Sequence, residues 1–221
     1  MTEENLHLLE ELYRQYINPV KPLLAEIEAV YEKFPLPLYN EIRAMNDHVA
    51  RAFTAEDDKE GNKKKTKEQK ETEQIEKAGG HIDRITRDCY KFLNLYYKRE
   101  AEKFDRSICS IEPRTTNDYE RMAEYGRLSD NATNLVEFAK QNEHLVTNEK
   151  TYRNFQDAYN AYKDLHKFIV NNRRDVLSMK RKRSFRIVGS ITFSIFTFIL
   201  GCIITNNNQA IVDVFLNLFA G

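Results

Sequence analysis

Residues 6–34 read LHLLEELYRQYINPVKPLLAEIEAVYEKF, and the spacing of their apolar side chains decides the fold class. Leu6, Leu9, Tyr13, Tyr16, Val20, Leu23, Ile27, Val30 and Phe34 follow one another in alternating steps of three and four. That is the seam of a long helix packing on other helices. Thr2 is suited to the N-cap, and Glu3 and Glu4 to the positive end of the helix dipole. Pro19 and Pro22 each lack a backbone donor and crowd the preceding turn, so a kink or restart is expected near Asn18. Pro35 and Pro37 then end the segment.

The same spacing recurs downstream. A second helix is expected from about Leu38 to Phe53, with Leu38, Ile42, Met45, Val49 and Phe53 on one face. A third runs from about Glu73 to Asp105 and carries Ile75, Ala78, Ile82, Ile85, Cys89, Phe92 and Tyr96. After a break around Ser107–Asn117, a fourth covers about Asp118–Leu145 with Met122, Tyr125, Leu128, Leu135 and Phe138. The fifth begins near Asn148 with Tyr152, Phe155, Tyr159, Tyr162, Leu165, Phe168 and Ile169, and meets no Pro or Gly before Gly189. Residues 54–72, TAEDDKEGNKKKTKEQKET, hold six lysines, six acids and no large apolar residue, which predicts a mobile charged loop. Seven Gly and five Pro supply too few turns for an all-β chain. The expectation is an all-α, long-helix bundle.

Residues 187–204, IVGSITFSIFTFILGCII, form an uncharged run of eighteen. As a helix it would rise roughly 27 Å, near the hydrocarbon thickness of a bilayer. It is read as one C-terminal transmembrane helix. The net charge of zero hides an asymmetry. Between Lys167 and Arg186 stand eight basic residues and one acid, so this stretch carries +7 and the remainder −7. Lys180, Arg181, Lys182, Arg183 and Arg186 flank the apolar run, and by the positive-inside rule they keep the N-terminal side cytosolic. Such a cluster also holds anionic headgroups. The expected organisation is therefore a cytosolic bundle over 1–183, a basic flank and membrane helix over 184–205, and a short amphipathic tail over 206–221. The location is the inner (plasma) membrane, in a single pass. Membrane lipid explains the basic block without DNA.

Three cysteines without CxxC spacing suggest neither a disulfide framework nor a zinc site. No P-loop, dinucleotide-binding glycine pattern, GxSxG or HExxH is present, so no metal or cofactor is expected. Two polar clusters lie beside apolar stripes. On the second helix are Arg43, Asn46, Asp47, His48 and Arg51; on the third are His81, Arg84 and Asp88, at i, i+3 and i+7. An antiparallel pairing of these helices across the charged loop would let the clusters face each other or meet in an oligomer. Alternatively they are solvated faces, with Asp47–Arg51 and Arg84–Asp88 as ordinary ion pairs.

Arg43-Ala-Met-Asn-Asp-His48 resembles the R-x4-H motif of the HEPN superfamily, helical domains many of which cleave RNA as dimers. The resemblance implies Arg43 and His48 as a composite catalytic pair, with His48 as acid–base and Arg43 steadying a phosphate. Here Ala44 follows the Arg where active members usually have a polar residue, and the motif lies in an early helix rather than a late one. A HEPN-like body joined to a membrane helix is similar to the membrane accessory proteins of type VI-B CRISPR systems and related phage-defence effectors. That likeness implies a homo-oligomer that acts at the membrane, with RNA or an RNA-guided nuclease as partner. The expected function is a membrane-anchored oligomeric effector in antiviral defence. A membrane-tethered metal-independent ribonuclease and a non-enzymatic scaffold are the alternatives.

Overall fold

The computed structural model describes residues 1–58, 65–108, 113, 115–144 and 148–206, except for the side chains of 148–151, 177, 179–186, 200 and 202–206. The described chain is all-helical. Its elements are α1 (Glu3–Gln15), a π-helical turn (Tyr16–Val20), α2 (Lys21–Val30), α3 (Leu36–Phe53), α4 (Lys67–Ile108), α5 (Thr116–Gln141) and α6 (Asn148–Asn206). Two compact units emerge. One comprises Met1–Asp105 with Pro113–Val170, the other Arg106–Glu112 with Asn171–Gly221.

Local chemistry sets the helix starts. Thr2 accepts from the Asn5 amide and caps α1. Thr115 and Asp118 form a reciprocal capping box at α5. Thr66 does the same for α4: its hydroxyl accepts from the Gln69 amide at 3.2 Å, while Gln69 Oε1 accepts from the Thr66 amide at 3.1 Å. Helix α4 therefore begins at Lys67, six residues before the expected Glu73, and takes the end of the charged segment with it. Asp57 and Asp58 also accept from the amides of Lys67 and Lys65. Residues 59–64 of that segment lie outside the described residues. Asn18 leaves helical geometry (φ −136°, ψ 100°) directly before Pro19, so the expected break is there.

Helix α4 is the spine of the first unit. Along it α3 runs antiparallel, since Glu41 meets His81 and His48 meets Gln74. Helix α6 runs parallel to it: Asn94 donates to the Phe155 carbonyl, and further along Tyr97 packs on His166. Helix α5 folds back, with Tyr125 against Phe104 and its hydroxyl donating to Asp105 at 2.6 Å. Ile85, Leu93, Phe155 and Leu165 are almost wholly buried, each stabilising by about 1.5–3 kcal/mol.

The apolar stripes turn slightly from their expected positions. On α1 the buried residues are Asn5, Leu9 and Leu12, while Leu6 is 49% exposed. Phe53 (61%) and Phe138 (53%) face outward, and Ala52 and Ala139 occupy the contacts instead. Small residues there let helix axes approach more closely than an aromatic ring would.

In the second unit Ile187, Val188, Ile191, Phe193, Ile195, Phe196, Phe198 and Ile199 are all about half exposed or more. Among the described residues no helix is long and apolar enough to cross a membrane. The eighteen-residue run 187–204 lies wholly within α6. The side chains of the flanking Lys180, Arg181, Lys182, Arg183 and Arg186, and the tail 207–221, lie outside the described residues.

Candidate functional site

The antiparallel pairing of α3 and α4 joins members of both polar clusters. His48 and His81 stack with ring centroids 5.2 Å apart and planes 26° apart. His81 Nδ1 lies 2.6 Å from Glu41 Oε2, and His48 Nδ1 lies 2.7 Å from Gln74 Oε1. Both partner oxygens only accept, so each ring donates its Nδ1–H and directs Nε2 elsewhere. The pair is half-buried.

Most of the other cluster members are not drawn in. Arg43, Asn46, Asp47 and Arg51 are exposed, and the Asn46 amide donates back to the Ile42 carbonyl. Arg43 is five residues from His48, about 140° around an ideal helix, and takes no part in the histidine pair. The expected Arg84–Asp88 pair is replaced. Arg84 Nε donates to the Gly80 carbonyl at 3.0 Å and stands 3.7 Å from Glu41, while Asp88 lies nearer Arg87 and Lys91. On α4 the i, i+4 carbonyl is closer to Arg84 than the Asp88 carboxylate, and Glu41 arrives from the facing helix.

Two further polar centres hold the unit together. Glu26 on α2 accepts from Tyr97 (2.6 Å) on α4, and from Tyr159 (2.5 Å) and Lys163 (3.2 Å) on α6. Burial pushes the Glu26 carboxyl up, but hydrogen bonds from Tyr159, Tyr97 and Lys163 outweigh it and hold the group below its usual range. The same burial, and the carboxylate beside them, raise the Tyr97 and Tyr159 phenols. At the other end of α4, buried Asn5 donates to Glu71 Oε2 (3.1 Å) and the Glu68 carbonyl, and accepts from Thr72. Burial raises the Glu71 carboxyl, yet Asn5, the Met1 amino group and Lys67 together lower it. Neither centre shows as a motif. Glu26 and Asn5 sit one residue from apolar positions of the first seam, and only their tertiary partners give them meaning.

A cleft of about 610 Å³ opens where the α1–α2 break faces the first half of α4, at Gly79 and Gly80. A mid-helix glycine costs about 1 kcal/mol relative to alanine. Nothing lies within 4 Å of where a Gly79 Cβ would stand, and a Gly80 Cβ would make only ordinary contact with the end of Arg84. Among the described residues, no group of three or more His, Cys, Asp or Glu is placed to hold a metal ion. No protein-family model, curated protein or solved structure matches the chain.

Proposed function

We propose that the chain is a membrane-anchored helical effector or accessory protein that acts by assembling at the membrane. The observation that carries this reading is the apolar surface of α6 between Ile187 and Ile199. Its large residues are exposed around most of the helix circumference, an arrangement that water disfavours and lipid accepts. The polar side chains there suit the same setting. Thr192 donates to the carbonyls of Val188 and Gly189, and Thr197 to those of Phe193 and Ser194, so neither hydroxyl needs water. The basic residues 180–186 in sequence before the run fit the cytosolic headgroup side of a single-pass anchor in the plasma membrane.

The antiviral setting, and an RNA-guided nuclease as partner, come from the HEPN-like resemblance at Arg43–His48. An assembling role rather than a catalytic one is favoured by the placement of that motif, since His48 is committed to α4 while Arg43 is exposed. The second reading, a tethered ribonuclease, draws on the stacked His48 and His81, two oriented imidazoles that could divide acid and base roles. Alkaline carbonate extraction of membranes bearing the full chain tests the anchor, and sizing in detergent tests the assembly. Retention in the pellet and a defined multimer are expected. Release by carbonate would refute the anchor, and a monomer the assembly.

A further inference from the structure

Helix α3 turns one stripe into the bundle and carries a second on its outer side. Leu38, Met45, Val49 and Ala52 are buried, whereas Leu36 (66%), Tyr39 (57%) and Phe53 (61%) are exposed. Leu36, Tyr39, Arg43, Asn46, Ala50 and Phe53 follow one another in steps of three and four, so they form one seam along the length of the helix. It is the spacing by which helices pack inside the bundle, here turned to the exterior.

The charges on this face decide what fits it. Arg43, Asp47 and Arg51 stand at i, i+4 and i+8, the spacing of an ordinary ion pair within a helix, yet among the described residues none of the three is paired. A lipid interior is a poor match for a face with these charges along it. A second α3 matches it in one direction. Set antiparallel about a two-fold axis between Ala44 and Met45, Leu36 meets the second copy's Phe53 and Tyr39 meets its Ala50, large against small. Arg43 then falls beside the second copy's Asn46 and Asp47, and each contact occurs twice, as isologous pairing requires. A parallel arrangement would set Arg43 on Arg43 and Asp47 on Asp47, which like-charge repulsion opposes.

We infer that the outer face of α3 docks antiparallel on α3 of a second copy of this chain. The inference rests on the membrane-assembly reading. One helix face is a small interface, and confinement of both copies to a membrane raises the effective concentration at which it forms. His48 stays on α4 of its own subunit, so the pairing does not build a shared arginine–histidine centre.

The test is oxidative cross-linking of the full chain in membranes. Tyr39→Cys combined with Ala50→Cys should give a covalent dimer above the background of the unsubstituted chain. Neither single variant should, because its cysteine faces a side chain of the second copy that carries no thiol. Adding Leu36→Asp and Phe53→Asp, at exposed positions and with unchanged helicity by circular dichroism, should remove the dimer. Adding Arg43→Asp should lower cross-linking at least about tenfold, and Arg43→Asp with Asp47→Arg should restore it, since the reversed charges are again self-complementary. No dimer from the double-cysteine protein, equal cross-linking by Tyr39→Cys alone, attachment to a different protein, or indifference to the Leu36 and Phe53 changes would each overturn the pairing. Carbonate extraction of the same membranes reads the anchor separately. A retained protein that does not cross-link refutes the α3 pairing and leaves the anchor standing, whereas release refutes the anchor whatever the cross-link shows.

Discussion

His48 and His81 meet ring to ring across α3 and α4, each steered by an oxygen of the helix opposite, Gln74 for one and Glu41 for the other. Stacked aromatic pairs are worth about 0.5–1.5 kcal/mol beyond the area they bury. His48→Ala and His81→Ala should each destabilise the bundle by about 1 kcal/mol, and a double-mutant cycle by urea denaturation should show positive coupling. Additive losses would mean that the stacking contributes nothing.

Arg43 makes a contrasting test. It is exposed on the side of α3 away from the pair, so Arg43→Ala should change stability by no more than about 0.5 kcal/mol. Under the membrane reading, both Arg43→Ala and His48→Ala proteins remain in the carbonate-resistant fraction. Loss of RNA degradation in a His48→Ala protein that stays folded and assembled would promote the ribonuclease.

Glu26 should shape the acid limb of stability. Its folded-state pKa lies below the ordinary value of 4.5, so its contribution is fully present above that value and is lost as the pH falls through the folded pKa. Glu26→Gln should cost about 1–3 kcal/mol at pH 7, since three donors from two helices lose their charged acceptor. The gap between the two proteins should narrow as the pH drops below about 4.5, which thermal melts across pH 3–7 will show. A pH-independent difference would mean that the carboxylate charge does not matter there.

Asn5 bridges α1 to buried Glu71, and its replacement separates polar pairing from volume. Asn5→Ala should cost about 1–3 kcal/mol by removing a donor from a buried carboxylate. Asn5→Asp should be worse at pH 7, because two carboxylates then face each other, and should partly recover on acidification. Chemical denaturation at pH 7 and pH 4 distinguishes the two.

A chain-wide charge in mid-helix tests the anchor itself. Phe196→Arg places a cation inside the apolar run and should cost about 2.5–3.5 kcal/mol of insertion, seen as release from membranes by carbonate. Unchanged retention would show that something other than α6 holds the protein there.

Helix number and sequence order were legible because steps of three and four persist through each element, and the break at Asn18 because Pro19 removes a donor. The contact of His48 with His81 was one of several arrangements the sequence left open, and the antiparallel pairing of α3 and α4 selects it. What periodicity could not decide was which of two overlapping stripes turns inward. On α1, Leu6–Leu9–Tyr13 and Asn5–Leu9–Leu12 differ by a small rotation, and a buried polar contact to Glu71 selects the second. The early start of α4 was written in Thr66-Lys67-Glu68-Gln69, a capping-box sequence hidden by the surrounding charge. Glu26 gave no local signal at all, because its three donors lie more than seventy residues away.

The interruption at Asn18 has a dynamic consequence. It separates α1, fastened at Asn5, from α2, fastened at Glu26 by three donors on two helices. Across it the regular ladder is weakened, since Pro19 and Pro22 have no N–H and Lys21 donates instead across a wider turn to the Tyr16 carbonyl, so the two segments need not open together. Fraying of α1 can thus occur as a local unfolding event at a small fraction of the global free energy, leaving α2 in place. The amides of residues 7–15 should accordingly exchange faster than those of residues 24–30.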